Sequence, residues 1–277
     1  MRTQFAERNP APETRFGFGE NWRRFLEKLN EERIVAATNS LQSLLVGRSL
    51  AGKTFLDLGS GSGLSSLVAL RLGASRVHSF DYDQNSVACT RELKRRFSPE
   101  AEHWTIEAGS VLDRAYLQSL ATWDVVYSWG VLHHTGAMWE AMDNVAPLVG
   151  PGGILYIAIY NDQGPISVVW RRVKSFYNRG PLAKWMILST LIPYFVLRGV
   201  GGDVLRGRDP TRRYREYQQN RGMSLVHDWL DWLGGFPFEV AKPESVLEFY
   251  RSRGFQLERL KTCGGSLGCN EFVFSRP

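Results

Sequence analysis

Two adjacent histidines, His133 and His134 in WGVLHHTG, and three glycines at alternate positions, Gly59, Gly61 and Gly63 in FLDLGSGSG, are the residues that most directly suggest chemistry in this 277-residue chain. An imidazole has a pKa near neutrality and takes a proton from a hydroxyl or a phenol at pH 7. Tyr160 in ILYIAIYNDQG, with Asn161 and Asp162 after it, and His227 in SLVHDWLDW, with Asp228 beside it, are further candidates for contacting or deprotonating a substrate. The glycines serve a different purpose. Glycine adopts backbone conformations that a Cβ forbids and lets a ligand lie against bare main chain. A dinucleotide diphosphate asks for GxGxxG, whereas here the third glycine follows the second by two residues, which favours a ligand without a diphosphate. The cysteines, Cys89, Cys263 and Cys269, have no metal-ligand spacing, so neither a metal site nor a disulfide framework is expected.

The elements that position these residues follow from periodicity. Lys53 to Leu58 reads as a short buried strand that turns at the glycines into a helix over about Leu64 to Leu72. RVHSFD, Arg76 to Asp81, is a second strand and Gln84 to Phe97 its helix, with Asp83 placed as N-cap. Glu102 to Glu107 and a helix over Asp113 to Leu120 come next, then a fourth strand, Trp123 to Trp129. Met138 to Val149 reads as a helix stopped by Gly150 and Pro151, and Ile154 to Tyr160 as a fifth, central strand. Five strand–helix alternations indicate a parallel sheet covered on both faces. Ahead of them, helical spacing from Asn21, the expected N-cap, to Leu45 gives one or two helices. After them, PESVLEFYRSRG reads as a helix from Pro243, and two strands joined by CGGSLGC close the sheet with an antiparallel edge.

With an acid two residues before the first glycine, Asp57-Leu58-Gly59-Ser60-Gly61-Ser62-Gly63, and a two-strand ending, the chain resembles the class I S-adenosylmethionine-dependent methyltransferases over roughly residues 50–160 and 243–277. The resemblance implies a Rossmann-like α/β fold: a seven-stranded, mostly parallel sheet with an antiparallel last strand, helices on both faces and a helical insertion after strand five. It implies S-adenosylmethionine as cofactor and S-adenosylhomocysteine as product. Asp57, Gly59, Ser60, Gly61 and Gly63 are expected around its methionine and ribose parts, Asp81 on the ribose hydroxyls and Tyr82 beside the adenine. Ser110, Val111 and Trp129 complete the expected cofactor set. Where the family often has Gly-Asp after strand three, this chain reads Gly109-Ser110, so the adenine amino group is left to a hydroxyl or to main chain.

The organisation then reads as an N-terminal helical segment, 1–50, capping the cofactor site; a methyltransferase domain, 51–160 and 243–277; and a helical insertion, 161–242, as substrate lid. The net charge of +6 is concentrated in that insertion, where residues 171–221 hold 12 Lys and Arg against three acids. An arginine cluster with tyrosines, RGRDPTRRYREYQQNR, could grip phosphates or a carboxylated substrate. WMILSTLIPYFVL, residues 185–197, is taken as too short to span a bilayer and as a lid helix, a membrane-interface segment or the wall of an apolar acceptor channel. Trp229, Trp232, Phe236 and Phe238 form an aromatic cluster near its end. The N-terminus lacks a signal-peptide pattern, so a cytoplasmic enzyme is expected. The expected reaction is methylation of a small molecule, at oxygen, with nucleic acid an unfavoured partner. An RNA or protein methyltransferase and a non-catalytic cofactor-binding protein are the alternatives.

Overall fold

The apolar runs of the sequence assemble into one sheet because strands buried on both faces can only be satisfied by neighbours on both edges and helices above and below. A computed structural model describes residues 16, 17, 19–27, 29–45, 47–212 and 225–277, without the side chains of residues 20, 225–228 and 231. Expectations for residues 1–15 and for most of the arginine–tyrosine run, residues 213–224, lie outside the described residues. The strands are β1 (Thr54–Leu58), β2 (Arg76–Asp81), β3 (Trp104–Ala108), β4 (Trp123–Trp129), β5 (Val149–Tyr160), β6 (Gln256–Lys261) and β7 (Cys269–Ser275). Their order is β3-β2-β1-β4-β5-β7-β6. β7 runs antiparallel to both of its neighbours, β5 and β6, and the remaining pairings are parallel.

Alternation along the strands divides the core in two. Leu56, Leu58, Val126, Leu155, Ile157, Phe272 and Phe274 face one cluster, completed by α6 (Met138–Val145) and α10 (Pro243–Arg251). Phe55, Val125, Ile154 and Val273 face the other, completed by α2 (Glu31–Leu44), α3 (Leu64–Arg71) and α4 (Gln84–Phe97). Because β1 and β4 are adjacent, with Asp57 opposite Tyr127, the C-terminal ends of β1, β2 and β4 open on the same edge. The glycine turn and the two histidines are thereby brought together.

The structure departs from expectation at four places. The helix before β5 ends at Val145 and continues as a 3-10 turn, Ala146–Leu148, in which Pro147 lacks the N–H that an α-helix would use. β5 then starts at Val149, paired with Trp123, five residues earlier than Ile154. Asn21 lies inside α1 (Gly19–Glu27) rather than ahead of it, and the asparagine at an N-cap is Asn30, whose side chain accepts from the Arg33 N–H at the start of α2. Finally, the apolar run of the insertion belongs to a 25-residue helix, α8 (Pro181–Leu205), which continues through Pro193. By length and composition that helix is long enough to cross a membrane, whereas the 13 apolar residues alone are not. The remaining helices are α5 (Arg114–Ser119), α7 (Pro165–Tyr177) and α9 (Leu225–Gly234).

Candidate functional site

Each glycine of the turn has a positive φ, 75° at Gly59, 55° at Gly61 and 80° at Gly63. A Cβ on Gly61 would sit 2.8 Å from the indole of Trp22, and one on Gly63 would sit 2.7 Å from the Thr90 methyl. The spacing therefore reflects both conformation and close cover: α1 lays Trp22 across the turn while α4 packs beneath it. What anchors α1 is the same aspartate that starts α4. Asp83 caps α4 through the Asn85 N–H and, with its other oxygen, accepts the Gly19 N–H at 2.9 Å.

The two acids expected at the cofactor, Asp57 and Asp81, have different surroundings. Asp57 is buried and accepts from Ser66 Oγ at 2.5 Å. Ser66 also meets Ser79 Oγ, which accepts the Trp104 indole N–H, so a polar chain ties β1, α3, β2 and β3 together. Burial pushes the Asp57 carboxyl up to about 7, against the lowering effect of Ser66. Asp81, at the end of β2, accepts the Gly61 N–H at 2.9 Å through one oxygen and the Asp83 N–H at 2.9 Å through the other. Burial raises it to about 6 while those N–H groups act the other way. The Tyr82 N–H adds a third backbone contact; a carboxylate has about four acceptor sites, so about one remains for a hydroxyl donor.

Ser60 turns its hydroxyl to Thr90 Oγ1, 3.0 Å away. Ser110 accepts the Leu112 N–H, and Val111 is buried. Tyr82 and Trp129, at the ends of β2 and β4, keep 57% and 45% of their surface exposed. All of these, with Asp57, Gly59, Gly61 and Asp81, line one cavity of about 1840 Å³.

Beyond Trp129 the cavity is walled by aromatic rings. His133, His134, Tyr160, Trp170, Phe195, Trp229, Trp232 and Phe236 line it. His133 is fully buried, with its ring 4.1 Å from that of Tyr160 and 4.5 Å from that of His134. The near-neutral imidazole expected here is not what the structure holds. Burial, then His134, push His133 well below its ordinary value, and the main chain of Ala158 opposes them only in part. His134 falls to about 3, chiefly by burial. Its Nδ1 lies 2.6 Å from the Pro237 carbonyl, which only accepts, so the proton sits on Nδ1 and Nε2 carries the lone pair.

Asn161 and Asp162 serve the scaffold. Asn161 Oδ1 accepts from Asn270 on β7, and Asp162 Oδ1 accepts the Gly164 N–H ahead of α7. His227 lies on α9, and its side chain, like that of Asp228, is outside the described residues. The aromatic cluster expected at the end of the insertion is divided: Trp229 meets Phe195 of α8, Trp232 meets Trp170 of α7, and Phe238 is buried against Tyr160. Among the described residues no group of three or more His, Cys, Asp or Glu side chains is arranged to hold a metal ion.

Sequence reading missed Trp22 and Trp170, which line the cavity, and Lys174 behind its wall. Lys174 is fully buried on α7, one helical turn after Trp170, yet in sequence it sits beside Arg171 and Arg172 and looks like one more solvated charge. A tryptophan four residues ahead of it was the available signal.

Comparison with known proteins agrees with this geometry. A family model described as a methyltransferase domain matches residues 56–155. The ribosomal protein L11 methyltransferase of Alteromonas mediterranea is 48% identical over 52 residues, covering 19% of this chain and 18% of that protein. The ubiquinone biosynthesis O-methyltransferase of Rhizobium etli is 29% identical over 114 residues, 41% of this chain and 44% of the relative. The chain thus spans about a fifth to under half the length of these two relatives. The fold is similar to that of the magnesium protoporphyrin IX methyltransferase of Synechocystis PCC 6803 solved with bound S-adenosylhomocysteine, with a TM-score of 0.55 at 14% identity over 93% of this chain and 94% of the other.

Proposed function

From a chain built on a class I S-adenosylmethionine-dependent methyltransferase domain, with S-adenosylmethionine as its cofactor, we propose an enzyme that methylates a small acidic molecule at oxygen. The observation that carries this reading is the single cavity joining the glycine turn to the aromatic wall of α7, α8 and α9. At about 1840 Å³ it exceeds the ~300–1,000 Å³ usual for one ligand, so it has room for a cofactor and an acceptor together.

The residues present fit the cofactor. The turn is bare main chain under Trp22, Asp81 has an acceptor site left for a ribose hydroxyl, and Tyr82 offers an exposed ring for adenine. The cofactor supplies a methyl group on a positive sulfur, which leaves the protein to align the attacking atom and exclude water. Trp129, His134 and Tyr160 line the passage from the cofactor end to the aromatic end. With His134 held near 3, its Nε2 is a weak base, and His133 is weaker as a proton acceptor than a solvated imidazole. An alcohol would be poorly deprotonated there. A phenol or a carboxylic acid brings its own acidity, which is why an acidic oxygen is the acceptor this site suits.

The exposed arginines of the insertion favour a second reading, an RNA substrate gripped by phosphate contacts. Transfer of labelled methyl from S-adenosylmethionine into size-fractionated cell extract separates the two. The proposal expects label in the small-molecule fraction with a weak salt dependence. Label confined to RNA or protein, falling steeply with salt, would refute it.

A further inference from the structure

Lys174 is the buried charge that the cofactor chemistry leaves unused. Its side chain is fully buried and its Nζ makes no hydrogen bond. Around that nitrogen are aromatic faces, Trp232 at 4.4 Å, Phe238 at 4.9 Å and Tyr160 at 5.9 Å to the ring centroids. Ring faces attract a cation but do not replace the hydrogen bonds it had in water. Burial accordingly brings the lysine down to about 7, with Cys269 of β7 acting in the opposite direction.

The titratable groups facing it are His133 and His134 from the 3-10 turn after β4, Tyr160 from β5 and Cys269 from β7. None is a carboxylate, and the side chains of Asp228 and Asp231 on α9 lie outside the described residues. Two of the three rings, Trp232 and Tyr160, also line the large cavity. Lys174 therefore packs against rings that themselves face the aromatic lobe, and among the described residues its Nζ has no hydrogen-bonding partner.

Resting on the reading of that lobe as the acceptor site, we infer that Lys174 receives a carboxylate of the acceptor when the Trp232 and Tyr160 rings part to admit it, which makes the acceptor an aromatic acid. The planar, apolar walls take the ring, and the lysine gains a charged hydrogen-bonding partner that no described residue provides. A methionine would fill the same space without the cost of a buried ammonium, which the ring contacts offset only in part.

The test uses the full chain loaded with S-adenosylhomocysteine and titrated calorimetrically with benzoate and with its neutral isostere benzamide at pH 8. Wild type is expected to bind benzoate at least ~10-fold more tightly than benzamide. Binding should take up close to one proton, read from the heat in two buffers of different ionisation enthalpy, because the largely neutral lysine becomes an ammonium as the carboxylate arrives. Lys174→Met should lose both the preference and the proton uptake while still folding. Lys174→Arg should keep the preference and lose the uptake, since its guanidinium is already charged. Equal binding of the two probes, no binding of benzoate in the millimolar range, or a Lys174→Met profile like wild type would overturn the inference. If the protein fails to bind S-adenosylhomocysteine, the functional reading fails separately, and the same titration on the unloaded protein still reports on Lys174.

Discussion

Asp57 and Asp81 end two neighbouring strands, and their surroundings assign them different work. Asp81 sits where a ligand can use its remaining acceptor site, so Asp81→Ala should weaken S-adenosylhomocysteine binding by ~10- to 100-fold in calorimetry, with the fold intact. Unchanged affinity would remove it from the site. Asp57 lines the same cavity but is buried with Oδ2 on Ser66, so its protonation bears on stability. Its folded pKa of about 7 lies above the unfolded value, so the native state binds the extra proton and the associated stability is lost as pH rises from about 4 through 7. Asp57→Asn removes that loss. The stability of the variant relative to wild type, from urea unfolding at pH 5 and pH 8, should therefore improve at the higher pH; parallel curves would contradict the assignment. Lys174 has the opposite sign, a folded pKa of about 7 below the unfolded value near 10.4. The gain in stability of Lys174→Met over wild type should be greatest below pH 7 and fade towards pH 10.

At the scale of elements, the cofactor end depends on α1 being held across the glycine turn by Asp83. Trp22→Ala should weaken S-adenosylhomocysteine severalfold while leaving the far-UV circular dichroism unchanged. Gly61→Ala forces a Cβ at φ 55° into the same indole and should cost at least as much. Because the two residues share one contact, the double variant should bind better than the sum of the single losses predicts, and strict additivity would mean that Trp22 does not cover the turn. This contact shows where sequence reading stops. The strands of the sheet were legible because each buried strand is a short apolar run ended by glycine or acid, as in FLDLG and RVHSFD, and Asp83 was legible as a cap from its place before Gln84. Trp22 over Gly61 joins residues 39 positions apart and leaves no local trace. Pro193 suggested a break that α8 absorbs, since a proline removes one hydrogen bond from a helix of 25 residues.

Across the whole molecule, the sheet edge carries the glycine-turn end of one cavity and the insertion its aromatic end, which we propose as the acceptor end. Composition placed the positive charge in the insertion, but it could not separate Lys174, which turns inward between α7 and α9, from Arg171 and Arg172 beside it. That distinction depends on which face of α7 meets Trp232 and Tyr160, a property of the packed molecule. The central claim is that the cofactor and the acceptor lie end to end along this cavity. A crystal structure with S-adenosylhomocysteine bound tests it most directly. The account predicts a ribose hydroxyl on Asp81, the adenine beside Tyr82 and the sulfur facing the lobe lined by His134, Tyr160 and Trp170. A sulfur turned away from that lobe, or a ribose with no contact to Asp81, would contradict it.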